Sequence, residues 1–88
     1  MKAIEFSNAF KRDFKKYPAL ALSTRWIEAL YCICSEQTLP PKFCDHALTG
    51  NWHGFRDCHI EPDLVLIYRH TENTVELARI GTHSALFG

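Results

Sequence analysis

The stretch Leu64–Arg69 reads LVLIYR, five apolar residues in succession before an arginine. A strand with one wet face alternates apolar and polar residues, because successive side chains point to opposite faces. This run does not alternate, so both of its faces must be covered. It predicts a central strand, with other strands beside it and side chains packed above and below. The chain has 88 residues, and a domain of that size buries only roughly 60% of the surface its unfolded chain exposes. A single domain spanning residues 1–88, with one core, is therefore expected.

Periodicity supplies the other elements. KAIEFS, at Lys2–Ser7, reads as a short first strand, and Ser7 or Asn8 can cap a helix after it. Phe10, Phe14 and Tyr17 recur at helical spacing, with Lys11, Arg12, Lys15 and Lys16 on the other side. Pro18 interrupts this helix. A second is expected from Leu20 to Glu36, with Trp26, Leu30, Ile33 and Cys34 along one side. Two short helices cannot close a core alone, which predicts a hairpin laid on a sheet. Pro40 and Pro41 break the chain and open a short helix reaching Leu48. TGNWHG, at Thr49–Gly54, is a loop. Strands are expected at His53–Ile60, Leu64–Arg69 and Val75–Thr82, joined by short reversals at Pro62–Asp63 and His70–Thr74. Such reversals imply an antiparallel meander. The expected fold class is α+β: a small twisted, mostly antiparallel sheet with an amino-terminal helical hairpin packed on one face.

Ten Lys and Arg balance ten Asp and Glu, so the net charge gives no bulk attraction to nucleic acid. Any RNA contact must be local, and Lys11–Lys16, KRDFKK, is the one dense basic run. No apolar run reaches the length of a membrane span, and the amino terminus lacks an apolar signal segment. A cytoplasmic location and no membrane partner are expected. Cys32, Cys34, Cys44 and Cys58 are then expected as free thiols.

Period two puts Phe55, Asp57 and His59 on one face of their strand and Arg56, Cys58 and Ile60 on the other. Val75, Leu77 and Arg79 share a face of the last strand, with His83 on the same parity if the strand continues. Asp63 follows the turn, and His46 falls outside the strands. His59, Asp63, Arg79 and His83 can thus gather on an open sheet face, with His46 closing over them. Three readings stay open. Cys44, His46, Cys58 and His59 have metal-ligand chemistry, but their spacing does not match paired zinc loops; His46, His59 and His83 with Asp63 are the other possible ligand set. The same residues suit acid–base work, since imidazole takes or gives a proton near neutrality. RNA would be a fitting substrate, because its 2′-hydroxyl is a built-in nucleophile. Arg79 would face the phosphate with its fork of donors, and Trp52, Phe55 or Phe87 would stack a base. The third reading is scattered surface histidines.

LPPKFCDHALTGNWHGFRDCHIEPDLVLIYR at Leu39–Arg69, followed by ELARIGTHSALFG at Glu76–Gly88, strongly resembles the YafQ branch of the RelE/ParE toxin superfamily. The helical first half is compatible and less specific. The resemblance implies a toxin of a bacterial type II toxin–antitoxin pair: a ribosome-dependent endoribonuclease that cuts messenger RNA in the A site of the 70S ribosome, with no metal or other cofactor, and is silenced by a DinJ-like antitoxin. It implies catalytic roles for His46 as general base, His83 as general acid, and His59 and Asp63 in orientation or charge stabilisation. Phe87 would position substrate and Arg79 would contact phosphate. Lys42 and Arg56, with the four basic residues of KRDFKK, would supply contacts to RNA.

One departure stands out. Some relatives carry tryptophan after the aspartate of EPD, where this chain has Leu64, so any inherited codon preference is in question. The alternative is a non-catalytic toxin or antitoxin-binding module that inhibits a protein target such as gyrase. That branch of the superfamily generally lacks this histidine set.

Overall fold

The structure is a computed structural model and describes Met1–Gly88. It is a small α+β fold: a five-stranded, mostly antiparallel sheet with three helices. The strands are β1 (Ala3–Phe6), β2 (His46–Ala47), β3 (Arg56–Glu61), β4 (Leu64–His70) and β5 (Thr74–Gly81). Their spatial order is β1-β5-β4-β3-β2, and only the β1–β5 pair is parallel. β4 is the central strand, and Leu64 through Tyr68 are all buried, as an unalternating run requires.

Helices α1 (Asn8–Phe14) and α2 (Thr24–Cys34) start where serines can cap them. The Ser7 hydroxyl accepts from Phe10 N at 2.9 Å, and that of Ser23 accepts from Trp26 N at 3.2 Å. Phe10, Trp26, Ala29 and Ile33 from these helices enter one hydrophobic cluster with Cys58, Ile60, Leu66, Tyr68, Leu77 and Ile80 from the sheet. Phe10 stacks on both Phe14 and Trp26, at 5.4 and 6.2 Å between ring centres.

Four expectations are corrected. The second helix is shorter than Leu20–Glu36, because Ser23 is extended and separates a 3-10 turn at Leu20–Leu22 from α2. The helix expected to reach Leu48 is only a 3-10 turn at Pro41–Phe43, ended by Cys44 in the left-handed region at φ 49°. The chain then forms β2, which covers part of the open edge of β3, so His46 is a strand residue. The last strand does not continue through His83: Thr82 caps a third helix, α3 (His83–Phe87), its hydroxyl accepting from Ala85 N at 3.2 Å. Finally, Ile67 pairs with Arg79 and Tyr68 with Leu77, so Ala78 is the extra residue of a bulge. The bulge breaks the parity that joined Arg79 to Val75 and Leu77: those two enter the core, while Arg79 shares the face of Ile67.

The bulge lies where β1 has ended and the edge of β5 is open. Ser7 and Asp13 close it. The Ser7 hydroxyl donates to Ala78 O at 2.6 Å. Asp13 accepts from Ile80 N at 3.1 Å and from Arg79 at 2.6 Å (Nε) and 3.1 Å (an η nitrogen). Burial pushes the Asp13 carboxyl up, but its bonds to Arg79 and Ile80 outweigh this and hold it below the ordinary value. An acid with a lowered folded pKa contributes stability that is complete above its unfolded pKa and is lost as pH falls through the folded one. Asp13→Ala is expected to cost about 2 kcal/mol in urea unfolding at pH 7, because a buried N–H and a charge both lose their partner. That deficit should narrow below pH 4 or so, as the parent's own carboxyl protonates. Glu76→Ala, which breaks the Arg69–Glu76 surface pair, should cost under about 0.5 kcal/mol.

Candidate active site

Strand register assembles the site. His46 lies opposite Asp57, Asp57 opposite Ile67, and Ile67 opposite Arg79. Directly opposed residues share a face, so these four form a row across the side of the sheet away from the Phe10–Trp26 cluster. His59, Val65 and Gly81 form the next row. The floor under both rows is apolar, since Val65 and Ile67 are fully buried.

α3 folds back over this floor with Leu86 close against Gly81, where a Cβ would lie 3.4 Å from Leu86 Cδ2. Its first residue is held by Asp63, whose Oδ1 accepts from His83 N at 3.1 Å. The His83 and Phe87 rings, one turn apart, lie 4.9 Å from each other. His46 is held from the opposite edge. The neighbouring Asp45 accepts from Arg56 (Nη2 to Oδ2, 2.8 Å) and from the Tyr68 hydroxyl, which anchors the start of β2.

Between these elements is an open pocket of about 300 Å³. His46, Asp57, His83, Phe87 and the loop residues Thr49 and Trp52 line it. Asp57 is its electrostatic centre. The carboxylate is buried, and burial pushes its pKa up, against the opposing pull of His46, His59 and His83. His46 Nδ1 lies 3.1 Å from Asp57 Oδ1, yet that oxygen accepts no hydrogen bond in the folded chain. The contact is one of charge, and on the Asp57 side it favours the ionised carboxylate against the burial that opposes it. The neutral ring is also oriented: Nδ1 is 3.0 Å from Cys44 O, so a proton on Nδ1 can be donated to that carbonyl, which leaves Nε2 as the basic nitrogen. His59 has the same relation to Pro62 O, at 3.2 Å from Nδ1.

The structure thus brings His46, His83 and Phe87 to one pocket, with His59 in the adjacent row and Asp63 beneath the backbone of His83. Arg79 joins the row but is already paired with Asp13. Arg56 and Lys42 lie outside the pocket. Arg56 opposes Tyr68 on the core side of β3 and is paired with Asp45, while Lys42 is paired with Glu28 of α2 at 2.8 Å. No three His, Cys, Asp or Glu side chains converge as a metal-binding group. Asp57 is the residue that sequence reasoning passed over. Its parity with His59 was legible, but its burial under three imidazoles depends on β2 and α3, which were not foreseen.

Residues 2–88 match the family model described as a bacterial toxin of type II toxin–antitoxin systems, YafQ. The chain is similar to the mRNA interferase toxin YafQ of Escherichia coli strain K12, 38% identical over 87 residues that cover 97% of this chain and 95% of the relative. Among solved structures, it is similar to the E. coli DinJ-YafQ toxin-antitoxin complex, with a TM-score of 0.83, 35% identity and coverage of 99% of this chain and 98% of that one. A metal-bound toxin from Helicobacter pylori gives a TM-score of 0.87 and 39% identity, covering 99% of this chain and 100% of that one.

A buried acid whose folded pKa is raised binds its proton more tightly folded than unfolded, so its charged form costs stability above that pKa. Asp57→Asn removes that cost. Its Tm at pH 8 should equal or exceed the parent's, and the difference should shrink as pH falls and the parent's carboxyl takes up its proton. A clear loss of Tm at pH 8 would contradict the account of Asp57 as a destabilising buried charge.

Proposed function

The chain belongs to the YafQ family of bacterial toxins of type II toxin–antitoxin systems, and from that premise we propose how its residues cut RNA. It is an mRNA interferase, an endoribonuclease toxin, neutralised by a DinJ-like antitoxin. We assign cleavage to messages held in the A site of the translating ribosome, which puts the toxin in the cytoplasm. The RelE/ParE-like placement of the two amino-terminal helices, as a hairpin on the sheet face opposite the pocket, belongs to the same reading, as does a single toxin domain over residues 1–88. Stacking of Phe10 on Trp26 inside the core supports that placement.

The reaction is acid–base transfer. Nε2 of His46 takes the proton of a ribose 2′-hydroxyl; that oxygen attacks the adjacent phosphorus and the bond to the 5′-oxygen breaks. His83 gives its proton to the departing oxygen, leaving a 2′,3′-cyclic phosphate and a 5′-hydroxyl. Asp57, buried with its Oδ1 3.1 Å from His46 Nδ1, is the carboxylate that faces the proton His46 takes up. Asp63 positions His83 through its backbone, and His59 contributes positive charge from the next row. Arg79 uses Nε and one η nitrogen for Asp13, and its other η nitrogen is the donor assigned to phosphate. Phe87, against His83, positions the nucleotide.

The observation that carries this reading is the convergence of His46 and His83 on one pocket over a buried carboxylate. Primer extension on a defined message in a purified translation system tests it. In-frame cuts are expected with ribosomes and none without. His46→Ala and His83→Ala should each reduce cleavage by about 10²–10⁴-fold. Asp57→Asn should reduce it by about 10-fold or more, because a neutral amide no longer opposes the positive charge that develops on His46 during the reaction. Undiminished cutting by His83→Ala would overturn the assignment of the acid.

A further inference from the structure

The pocket has a wall that the acid–base chemistry does not use. Thr49–Phe55 forms a compact loop closed on itself: Leu48 N donates to Phe55 O at 2.9 Å, His53 N to Gly50 O at 3.1 Å, and Phe55 N to Trp52 O at 2.9 Å. Gly50 and Gly54 have φ of 64° and 92°, which fits glycine and disfavours other residues. The loop presents Trp52 to the pocket shared by His46, His83 and Phe87. Trp52 is fixed edge-on to Phe55, with ring centres 5.2 Å apart and planes at 84°, and remains partly exposed. Phe87 on α3 lines the same space. Thr49 also lines it, is exposed, and does not spend its hydroxyl capping the 3-10 turn that follows it.

A space of about 300 Å³ is at the lower limit of small-ligand sites and suits one nucleotide. Two aromatic residues and a free hydroxyl around it match how single-stranded RNA is read, by stacking the base and hydrogen-bonding its edge. The remaining polar residues, His46, Asp57 and His83, are taken up by the reaction. We propose that the Thr49–Gly54 loop is the base-reading element of this enzyme: Trp52 stacks the base of a nucleotide at the scissile bond, and the Thr49 hydroxyl reads its edge. The inference rests on the interferase reading above and adds to it the residues that set codon preference. Leu64 has no part in this recognition, because it lies in the core at 5% exposure and cannot stack a base.

The test is a cleavage profile over a message containing all sense codons, read by primer extension on translating ribosomes at matched overall conversion. Thr49→Val replaces a hydroxyl with a methyl of the same shape, at an exposed position where folding is indifferent. It should change the ratio between the best-cut codon and its single-base neighbours by about 10-fold, with the uncut chain's Tm unaltered. Trp52→Leu should lower cleavage at the preferred codons by about 5–150-fold, and Trp52→Phe should restore most of it. Unchanged codon ratios in both Thr49→Val and Trp52→Leu, in a chain whose parent cuts, would overturn the proposal and leave the interferase reading intact. An equal fall at every codon in Trp52→Leu, with ratios kept in Thr49→Val, would make the loop merely structural and also overturn it. No cutting by the folded parent would instead sink the interferase reading itself, and the proposal with it.

Discussion

Everything in this molecule is arranged around a strand that must be dry on both sides. β4 runs through the middle of the sheet, and neither of its faces tolerates water over Leu64–Tyr68. Aromatic and aliphatic side chains of α1 and α2 share one core cluster with Leu66 and Tyr68 of β4. Little chain is left for the other face. That face is covered by one short helix, α3, and by the side chains of β2 and β3 that stand in rows beside it. The second covering layer is therefore thin and partly polar, and it is there that the histidines collect.

The chemistry follows from that thinness. A carboxylate on a fully hydrated surface would exert little pull on a nearby imidazole, since water screens the pair. Asp57 instead rests beside Ile67 over a buried apolar floor, with His46 at 3.1 Å. Its burial costs stability and gives the site its field. Such exchanges of stability for charge are usual at functional sites. The same economy places Arg79: the bulge at Ala78 turns it toward the histidine row, and Asp13 of α1 holds it from the edge. One ion pair thus ties a helix of the first layer to a strand that carries the second.

Much of the sheet was legible because its signals are local. The LVLIYR run announced a doubly covered strand, the paired reversals announced a meander, and parity sorted Asp57 and His59 from Cys58 and Ile60 correctly. The bulge at Ala78 was not legible, since nothing in LARIG distinguishes an inserted residue from a regular one. β2 is only two residues long, too short for any period to register. α3 did have a signal, a threonine cap followed by Ser-Ala-Leu, but the apolar character of the preceding strand overran it. The ion pairs of Arg56 with Asp45 and of Lys42 with Glu28 were not legible either, because they join residues that only the fold brings together.

By itself, then, the sequence determined the α+β class, the central strand, the antiparallel order of the last three strands and the chemical types available for acid–base work. These depend on side-chain period, turn residues and burial demand, which a chain carries along its length. Only the tertiary structure decided which histidines meet, which acid lies beneath them and which cations are already spent. Those outcomes depend on register, on a one-residue bulge and on the return of α3 over Gly81. A shift of a single residue in any of them exchanges one face of the sheet for the other.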